Sequence, residues 1–203
     1  MHVAVVGAGA LGSVYGGRLA ARAAVDVTFV VRTERPLPSP IVLERVDGDR
    51  ALIRLDEPRF STRIPKDADL ILTCVSVNDL TALEPVLDDS AAPIVVLTPL
   101  LPVDRDALPK AFGKRLFPAM PSVTAYRDDR GHVRYWLPRA AQTLVEEPRP
   151  LLPVIDTFVR ARGIPEAKFK ACLTDANQRS QLETIRKTAV EQYKVTGTPA
   201  FVL

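Results

Sequence analysis

The sequence predicts an α/β protein with a mostly parallel β-sheet, flanking helices and a C-terminal helical tail that ends in a short strand. Short apolar runs such as His2–Val6 and Ala68–Val75 are typical of strands buried on both faces. A glycine-rich turn and a helical segment separate His2–Val6 from the next such run, Val25–Val31, and crossovers of this kind join parallel strands. Of the 203 residues, 47% are hydrophobic and 25% are charged, which is the balance of a folded globular chain.

The N-terminal part of the chain predicts a strand, a turn, a helix and a second strand. After the strand His2–Val6 and the glycines, Ser13–Ala24 has the apolar spacing of a helix, and Val25–Val31 forms the second strand. A segment broken by prolines follows. It contains two short strands, Ile41–Leu43 and Ala51–Leu55, on either side of a turn.

The same alternation continues through the middle of the chain. The further predicted elements are a strand at Ala68–Val75, a short helix at Leu80–Leu87, strands at Pro93–Leu97, Arg115–Ala119 and Val133–Leu137, and a helix at Leu151–Arg162. Gly163 and Pro165 are typical helix-stop residues. We therefore place the first domain at residues 1–163.

Residues 164–203 form the predicted tail. Glu166–Leu173 is expected to be a short helix, and Asp175 is the expected N-cap of a longer amphipathic helix at Ala176–Tyr193. A turn then leads to Ala200–Leu203, which begins a strand.

Composition excludes several classes of function. The 27 basic and 24 acidic residues give a net charge of only +3 without a basic block, so no nucleic-acid partner is expected. No apolar run reaches the length of a membrane span. Cys74 and Cys172 form no CxxC pair, and His2 and His132 are the only histidines. We expect reduced thiols, no metal site and a cytoplasmic protein.

The glycines Gly7, Gly9 and Gly12 lie directly after a strand and open a helix. The first glycine permits a tight turn, the second lets the backbone approach a pyrophosphate, and the third allows close helix packing. The amides at the start of the helix, including those of Ala10 and Leu11, would bind the anion. This context indicates a Rossmann-type dinucleotide-binding domain. The alternative is a glycine-rich turn without a ligand.

Arg32 ends the second strand, at the position that separates NAD from NADP sites. NAD sites commonly place Asp or Glu there for the ribose 2′-hydroxyl, whereas an arginine accommodates the 2′-phosphate of NADP. Arg32 therefore favours NADP(H), although Glu34 lies nearby and an arginine at a strand end can be only a solvated charge. Ser76 and Asn78 follow a later strand and would contact the ribose or the nicotinamide, or simply begin a helix.

Residues 3–16, 27–32 and 68–75 resemble the ketopantoate reductases (2-dehydropantoate 2-reductases), and a weaker similarity continues to about residue 163. The resemblance implies hydride transfer from NADPH to a small 2-oxo acid. It also implies a Rossmann domain followed by a helical domain that completes the substrate site. Gly7, Gly9, Gly12 and Arg32 match the cofactor positions of that family.

Three departures from the family pattern concern the reacting groups. Val75-Ser76 replaces the usual Val-Lys, Thr98-Pro99 stands where the family has Gln-Asn, and the second-domain lysine has no matching segment. The catalytic residues therefore stay unidentified. We expect an NADP(H)-binding domain that is weak or inactive alone unless a partner subunit, such as a second copy, completes the cleft. The alternative is a non-catalytic nucleotide-binding sensor.

The tail resembles the end of DsbA-like thiol-disulfide oxidoreductases, chiefly at Gly197-Thr198-Pro199 and in the preceding long helix. The chain contains no CxxC, so no thiol exchange is expected. A third interpretation is therefore a fusion hybrid whose tail derives from a thioredoxin-fold protein.

Overall fold

The structure is a computed structural model. It describes residues 1–22, 24–32, 39–48, 50–87, 90–100, 108, 113–137 and 144–145, together with separate positions between 165 and 191. The chain divides into two compact units, Met1–Val154 and Ile155–Leu203.

Eleven strands are present in the described part of the first unit. In chain order they are β1 (His2–Val6), β2 (Asp26–Val30), β3 (Ile41–Arg45), β4 (Leu52–Leu55), β5 (Arg59–Ser61), β6 (Leu70–Thr73), β7 (Ile94–Val96), β8 (Leu116–Met120), β9 (Thr124–Arg127), β10 (Val133–Trp136) and β11 (Leu144–Val145). The helices in the described part of this unit are α1 (Ala10–Ala20), α2 (Val77–Leu80) and α3 (Glu84–Leu87), with 3-10 turns at Thr81–Leu83 and Gly113–Arg115.

The main sheet has seven strands in the order β11-β8-β7-β6-β1-β2-β5. All its pairs are parallel except β11 with β8. The predicted α/β fold with a mostly parallel sheet and flanking helices is therefore confirmed. β1 lies inside the sheet between β2 and β6. Strands β2 and β5 lie on one side of β1, and the later strands β6, β7 and β8 lie on its other side. The strand order therefore reverses beside β1.

A second sheet, in the order β4-β3-β10-β9, was not predicted. Its hairpin β3–β4 matches the two short strands expected on either side of a turn. The parallel pairing of β3 with β10, however, joins Leu43 to Val133. Sequence periodicity is a local signal and cannot reveal a pairing between such distant segments.

Helix α1 lies between strands of both sheets. A Cβ at Gly16 would come within 2.5 Å of the Phe29 ring, and one at Gly17 within 2.5 Å of Leu43 Cδ1. The helix begins at Ala10 and ends at Ala20, whereas the sequence predicted Ser13–Ala24. It starts earlier because the glycine turn leads directly into its first turn. It cannot extend to the predicted end at Ala24, which has a positive φ of 79°, a conformation that is not helical.

The helix predicted at Leu80–Leu87 is instead a series of short turns that starts at Val77. Pro85 lacks an N–H group and cannot donate to a carbonyl one turn earlier, so a continuous α-helix is interrupted here. Leu80 and Leu87 from these turns nevertheless pack against one face of the main sheet, where they contribute to a core with Ile71 and Ile94.

The described tail residues that fall in the predicted helix 176–193 are helical, and the Asn177 amide donates to Asp175 Oδ1 at 2.8 Å, as expected for an N-cap. The predicted helix at 151–162, the Gly197-Thr198-Pro199 turn and the final strand lie outside the described residues. None of the helices formed by the described residues has the length and hydrophobicity that crossing a bilayer requires.

Candidate functional site

The carboxyl ends of three parallel strands meet at one edge of the main sheet. The Gly7 amide, just after β1, donates to the Val30 carbonyl of β2 at 3.0 Å, and the Cys74 amide after β6 donates to Val6 at 2.8 Å. In open α/β sheets, ligands bind at this edge where the strand order reverses. The first turn of α1 begins at the same place.

A cavity of about 320 Å³ opens at this edge. Gly7 and Ala8 lie at its wall, and Arg32 lies at its rim. Its other walls are mostly apolar and include Val31, Val75, Leu83 and Val86. A pocket with apolar walls and a few polar groups is typical of a small-molecule site, and this volume lies within the usual range.

The three glycines of the turn have different surroundings. Gly7 has a φ of +95°, and a Cβ there would come within 2.8 Å of Val75 Cγ1. A Cβ at Gly12 would lie 1.9 Å from the Gly7 carbonyl oxygen. Gly9 has no atom within 4 Å of its Cβ position. The fold therefore requires Gly7 and Gly12, whereas the space beside Gly9 is open to an approaching ligand.

The N-terminus of α1 can accept an anion. Gly9 is its N-cap, and the first turn contains no acidic residue. The Ser13 amide donates to the Gly9 carbonyl at 2.9 Å. The preceding amides of Ala10, Leu11 and Gly12 have no acceptor within the helix, because the first N–H groups of any α-helix lack one. They carry the positive end of the helix dipole.

Arg32 and Ser76, which the sequence singled out separately, are joined by Asp79. The Arg32 guanidinium forms an ion pair with Asp79 Oδ1, and the Ser76 hydroxyl donates to Asp79 Oδ2 at 2.8 Å. The hydrogen bond from Ser76, followed by that from Arg32, lowers the pKa of Asp79. The Arg32 and Asp79 side chains are 68% and 41% exposed. A ligand can therefore reach both.

Sequence reasoning missed Asp79, although it had a usable signal. An acidic residue three positions after a serine at a helix start is a common N-terminal pattern, and Ser76 precedes α2 in this way. The structure departs from the usual pattern because the Ser76 hydroxyl bonds the Asp79 side chain rather than a backbone amide.

Arg127 from β9 was also missed. One guanidinium nitrogen donates to the Ala8 carbonyl at 3.2 Å and lies 3.4 Å from Ser13 Oγ, while the other donates to Gly131 at 2.8 Å. This places a second cation beside the glycine turn. Neither the strand β9 nor its position beside α1 was predicted, so no local sequence signal could have found the contact.

The family model for Ketopantoate reductase PanE/ApbA matches residues 3–144. The chain belongs to the ketopantoate reductase family. No curated protein sequence matches the chain significantly.

Solved structures of ketopantoate reductases share the fold. The 2-dehydropantoate 2-reductase of Geobacter metallireducens has a TM-score of 0.61 at 22% identity, over 81% of this chain and 56% of that protein. The dimeric ketopantoate reductase of Staphylococcus aureus has a TM-score of 0.58 at 17% identity, over 77% of this chain and 51% of that protein. The chain thus spans about half the length of these reductases.

The structure of an octopine dehydrogenase with NADH and pyruvate has a TM-score of 0.52 at 14% identity, over 68% of this chain and 40% of that protein. The fold is thus shared with an octopine dehydrogenase as well.

Two positions where the sequence was expected to depart from the ketopantoate reductase pattern, Ser76 and Pro99, lie in neighbouring loops. The Thr98 hydroxyl donates to the Val75 carbonyl, so the loop after β7 contacts the loop after β6. Ser76 is exposed at this edge, and Pro99 follows Thr98. Ser76 and Pro99 therefore lie in loops that contact each other at the carboxyl edge of the sheet, where the cavity opens.

Of the remaining reactive side-chain types, Cys74 is protonated and His2 lies away from this candidate site. Burial raises the pKa of Cys74 to about 12, so its thiol stays protonated. His2 is hydrogen-bonded to Thr28 at 2.9 Å and lies 3.2 Å from Asp67, at the amino end of β1. Within the described part of the chain, no three His, Cys, Asp or Glu side chains are placed to hold a metal ion.

Proposed function

We propose that this chain is the NADP(H)-binding domain of a ketopantoate reductase-type oxidoreductase. The observation that carries the proposal is the open space at Gly9 beside the apolar cavity and the N-terminus of α1. The pyrophosphate would lie over the turn on the amides of Ala10, Leu11 and Gly12, and the adenosine in the cavity. NADP(H), when bound, supplies the hydride chemistry.

The position of Arg32 supports NADP(H) over NAD(H). Arg32 lines the cavity, and its side chain is largely exposed. If an adenosine were bound in the cavity, the 2′-phosphate on its ribose would lie close to this side chain. Calorimetric titration of the full chain tests this assignment. We expect NADPH to bind, and Arg32→Gln to weaken NADPH about tenfold or more through the lost charge-assisted hydrogen bonds while it leaves NADH nearly unchanged.

A matched control is Arg59→Gln on β5, since Arg59 is equally exposed and forms an ion pair with Asp26 at the amino end of β2. Arg59→Gln should leave NADPH affinity unchanged. Tighter binding of NADH than NADPH by the unaltered chain would contradict the assignment of NADP(H).

We propose a small 2-oxo acid as the substrate class, with slow or no turnover by this chain alone. Ser76 and Pro99 stand at positions where the family carries transition-state donors, and the loss of such a donor typically lowers the rate about a hundredfold. A spectrophotometric assay of NADPH oxidation with a panel of 2-oxo acids tests this. Rapid turnover would contradict it, whereas NADPH binding without turnover favours a nucleotide-binding sensor.

We also propose a cytoplasmic homo-oligomer. The dimeric Staphylococcus aureus relative supports the oligomer. The only two cysteines, Cys74 and Cys172, lie far apart in the sequence, unlike the cysteines of a disulfide framework, and this supports the compartment. Light scattering of the purified chain measures the oligomeric state, and a strict monomer at micromolar concentration would contradict this part.

The tail at residues 164–203 is proposed to be a separate, DsbA-like segment that takes no part in dinucleotide binding. Hydrogen exchange with and without NADPH tests this proposal. Protection should increase at the glycine turn and stay unchanged over residues 176–203. New protection in the tail would contradict it.

A further inference from the structure

Asp79 meets Arg32 at the rim of the cavity. One oxygen of its carboxylate bonds the Arg32 guanidinium, and the other accepts the Ser76 hydroxyl at 2.8 Å. The Asp79 amide also donates to the Ser76 carbonyl at 3.0 Å. The start of α2 therefore holds the Asp79 carboxylate beside Arg32. There the carboxylate accepts the hydrogen bond that Arg32 would otherwise donate to a phosphate.

The carboxylate is charged at neutral pH, since hydrogen bonds from Ser76 and Arg32 lower the pKa of Asp79. A 2′-phosphate would have to displace it from Arg32, and would then remain close to a like charge. Such like-charge contacts disfavour binding. An uncharged 2′-hydroxyl meets no such repulsion. It can instead donate to a carboxylate, as it does to the acidic residue of NAD sites.

We propose that Asp79 is a specificity-determining residue of the dinucleotide site, which competes with the 2′-phosphate for Arg32 and so narrows the preference for NADPH over NADH. This inference rests on the proposed function, because it concerns the same cavity and the same arginine. Stability alone does not explain the contact, since exposed ion pairs contribute little to the free energy of unfolding.

The test compares Asp79→Asn with the unaltered full chain in calorimetric titrations with NADPH and with NADH at one fixed ionic strength. Asparagine keeps the size of the side chain and removes its charge. We expect NADPH affinity to rise about fivefold to tenfold, with NADH affinity unchanged or lower. Asp79→Ala should change the ratio in the same direction, which shows that the new amide is not itself the phosphate ligand.

Asp26→Asn is the matched control. Asp26 is an exposed carboxylate 3.6 Å from the Arg59 guanidinium, and it begins the strand that Arg32 follows. Its substitution makes the same change in net charge at the opposite edge of the sheet. The ratio of NADPH to NADH affinity should therefore stay as in the unaltered chain.

The outcomes separate this inference from the proposed function. If the unaltered chain binds NADPH and the affinity ratio does not rise in Asp79→Asn and Asp79→Ala, the inference is wrong and the proposed function stands. An equal rise in Asp26→Asn would also overturn the inference, because net charge alone would then explain the effect. If neither dinucleotide binds the unaltered chain or either Asp79 variant, the proposed function fails and the inference with it.

Discussion

The carbonyl oxygen of Gly7 lies 1.9 Å from the position that a Cβ at Gly12 would occupy. Gly12→Ala therefore cannot be accommodated without a movement of the glycine turn or of the start of α1. We expect the variant to lose about 3 kcal/mol of the free energy of unfolding, as overpacked sites do. Urea denaturation measures this loss, and an unchanged midpoint would show that the turn is far more adaptable than its geometry indicates.

Gly9→Ala is the contrasting substitution in the same turn. No atom lies within 4 Å of its Cβ position, so the loss of stability should be at most about 1 kcal/mol, from the weaker N-cap. The added methyl group would occupy the space proposed for the pyrophosphate. We expect the affinities for NADPH and NADH to fall together by about tenfold. Wild-type affinity for both would mean that the dinucleotide does not pass over Gly9.

The turn could be predicted from the sequence because all of its signals are local. Gly7, Gly9 and Gly12 lie within one short stretch between a strand and a helix, and Arg32 is defined by the end of the next strand. Each of these features depends on spacing along the chain, which periodicity and turn chemistry can detect.

The other groups at the site depend on pairings between distant segments. Arg127 reaches Ala8 only because β9 pairs with β10 and β10 with β3 in the second sheet. Asp79 meets Arg32 because β6 and β2 both pair with β1, so that their carboxyl ends lie together. No local pattern encodes either contact. The sequence therefore predicted the glycine turn and Arg32. It did not predict Arg127, which contacts the turn, or Asp79, which pairs with Arg32.

Arg127→Gln is expected to weaken both dinucleotides. Arg127 donates to the Ala8 carbonyl and lies beside Ser13, so its loss removes a cation and a support from the glycine turn. The affinities for NADPH and NADH should fall by similar factors of about fivefold, the usual effect of one hydrogen bond. Arg130→Gln, an exposed residue in the next turn, is the control. A loss confined to NADPH would instead assign Arg127 to the 2′-phosphate.

Cys74 should resist alkylation in the folded protein. Its side chain is partly buried directly after β6, and the loss of solvation raises the pKa of the thiol to about 12, so the reactive thiolate is scarce at pH 8. Iodoacetamide labelling followed by peptide mass spectrometry reports each cysteine separately. We expect Cys74 to become labelled only in denaturant. Rapid labelling under native conditions would contradict the burial of this thiol.

Asp128 should stabilise the second sheet only above acidic pH. Burial raises the pKa of its carboxyl, but the hydrogen bonds from Arg134 and from the amides of His132 and Arg130 outweigh this effect, so the net shift is downward. A lowered folded-state pKa gives stability that is present above the unfolded-state pKa and is lost as pH falls through the folded-state pKa. Asp128→Asn should therefore lower Tm at pH 7.

The difference in Tm between Asp128→Asn and the unaltered chain should shrink as the pH falls below about 4 and on through the lowered folded-state pKa, because the unfolded chain takes up the proton first and the charge at position 128 is then lost in both states. Asp129→Asn, at the exposed neighbouring position, controls for the general loss of one negative charge. Thermal unfolding followed by circular dichroism at each pH gives the comparison. A difference that stayed constant through the acidic range down to about pH 2 would show that Asp128 acts through its shape and not through its charge.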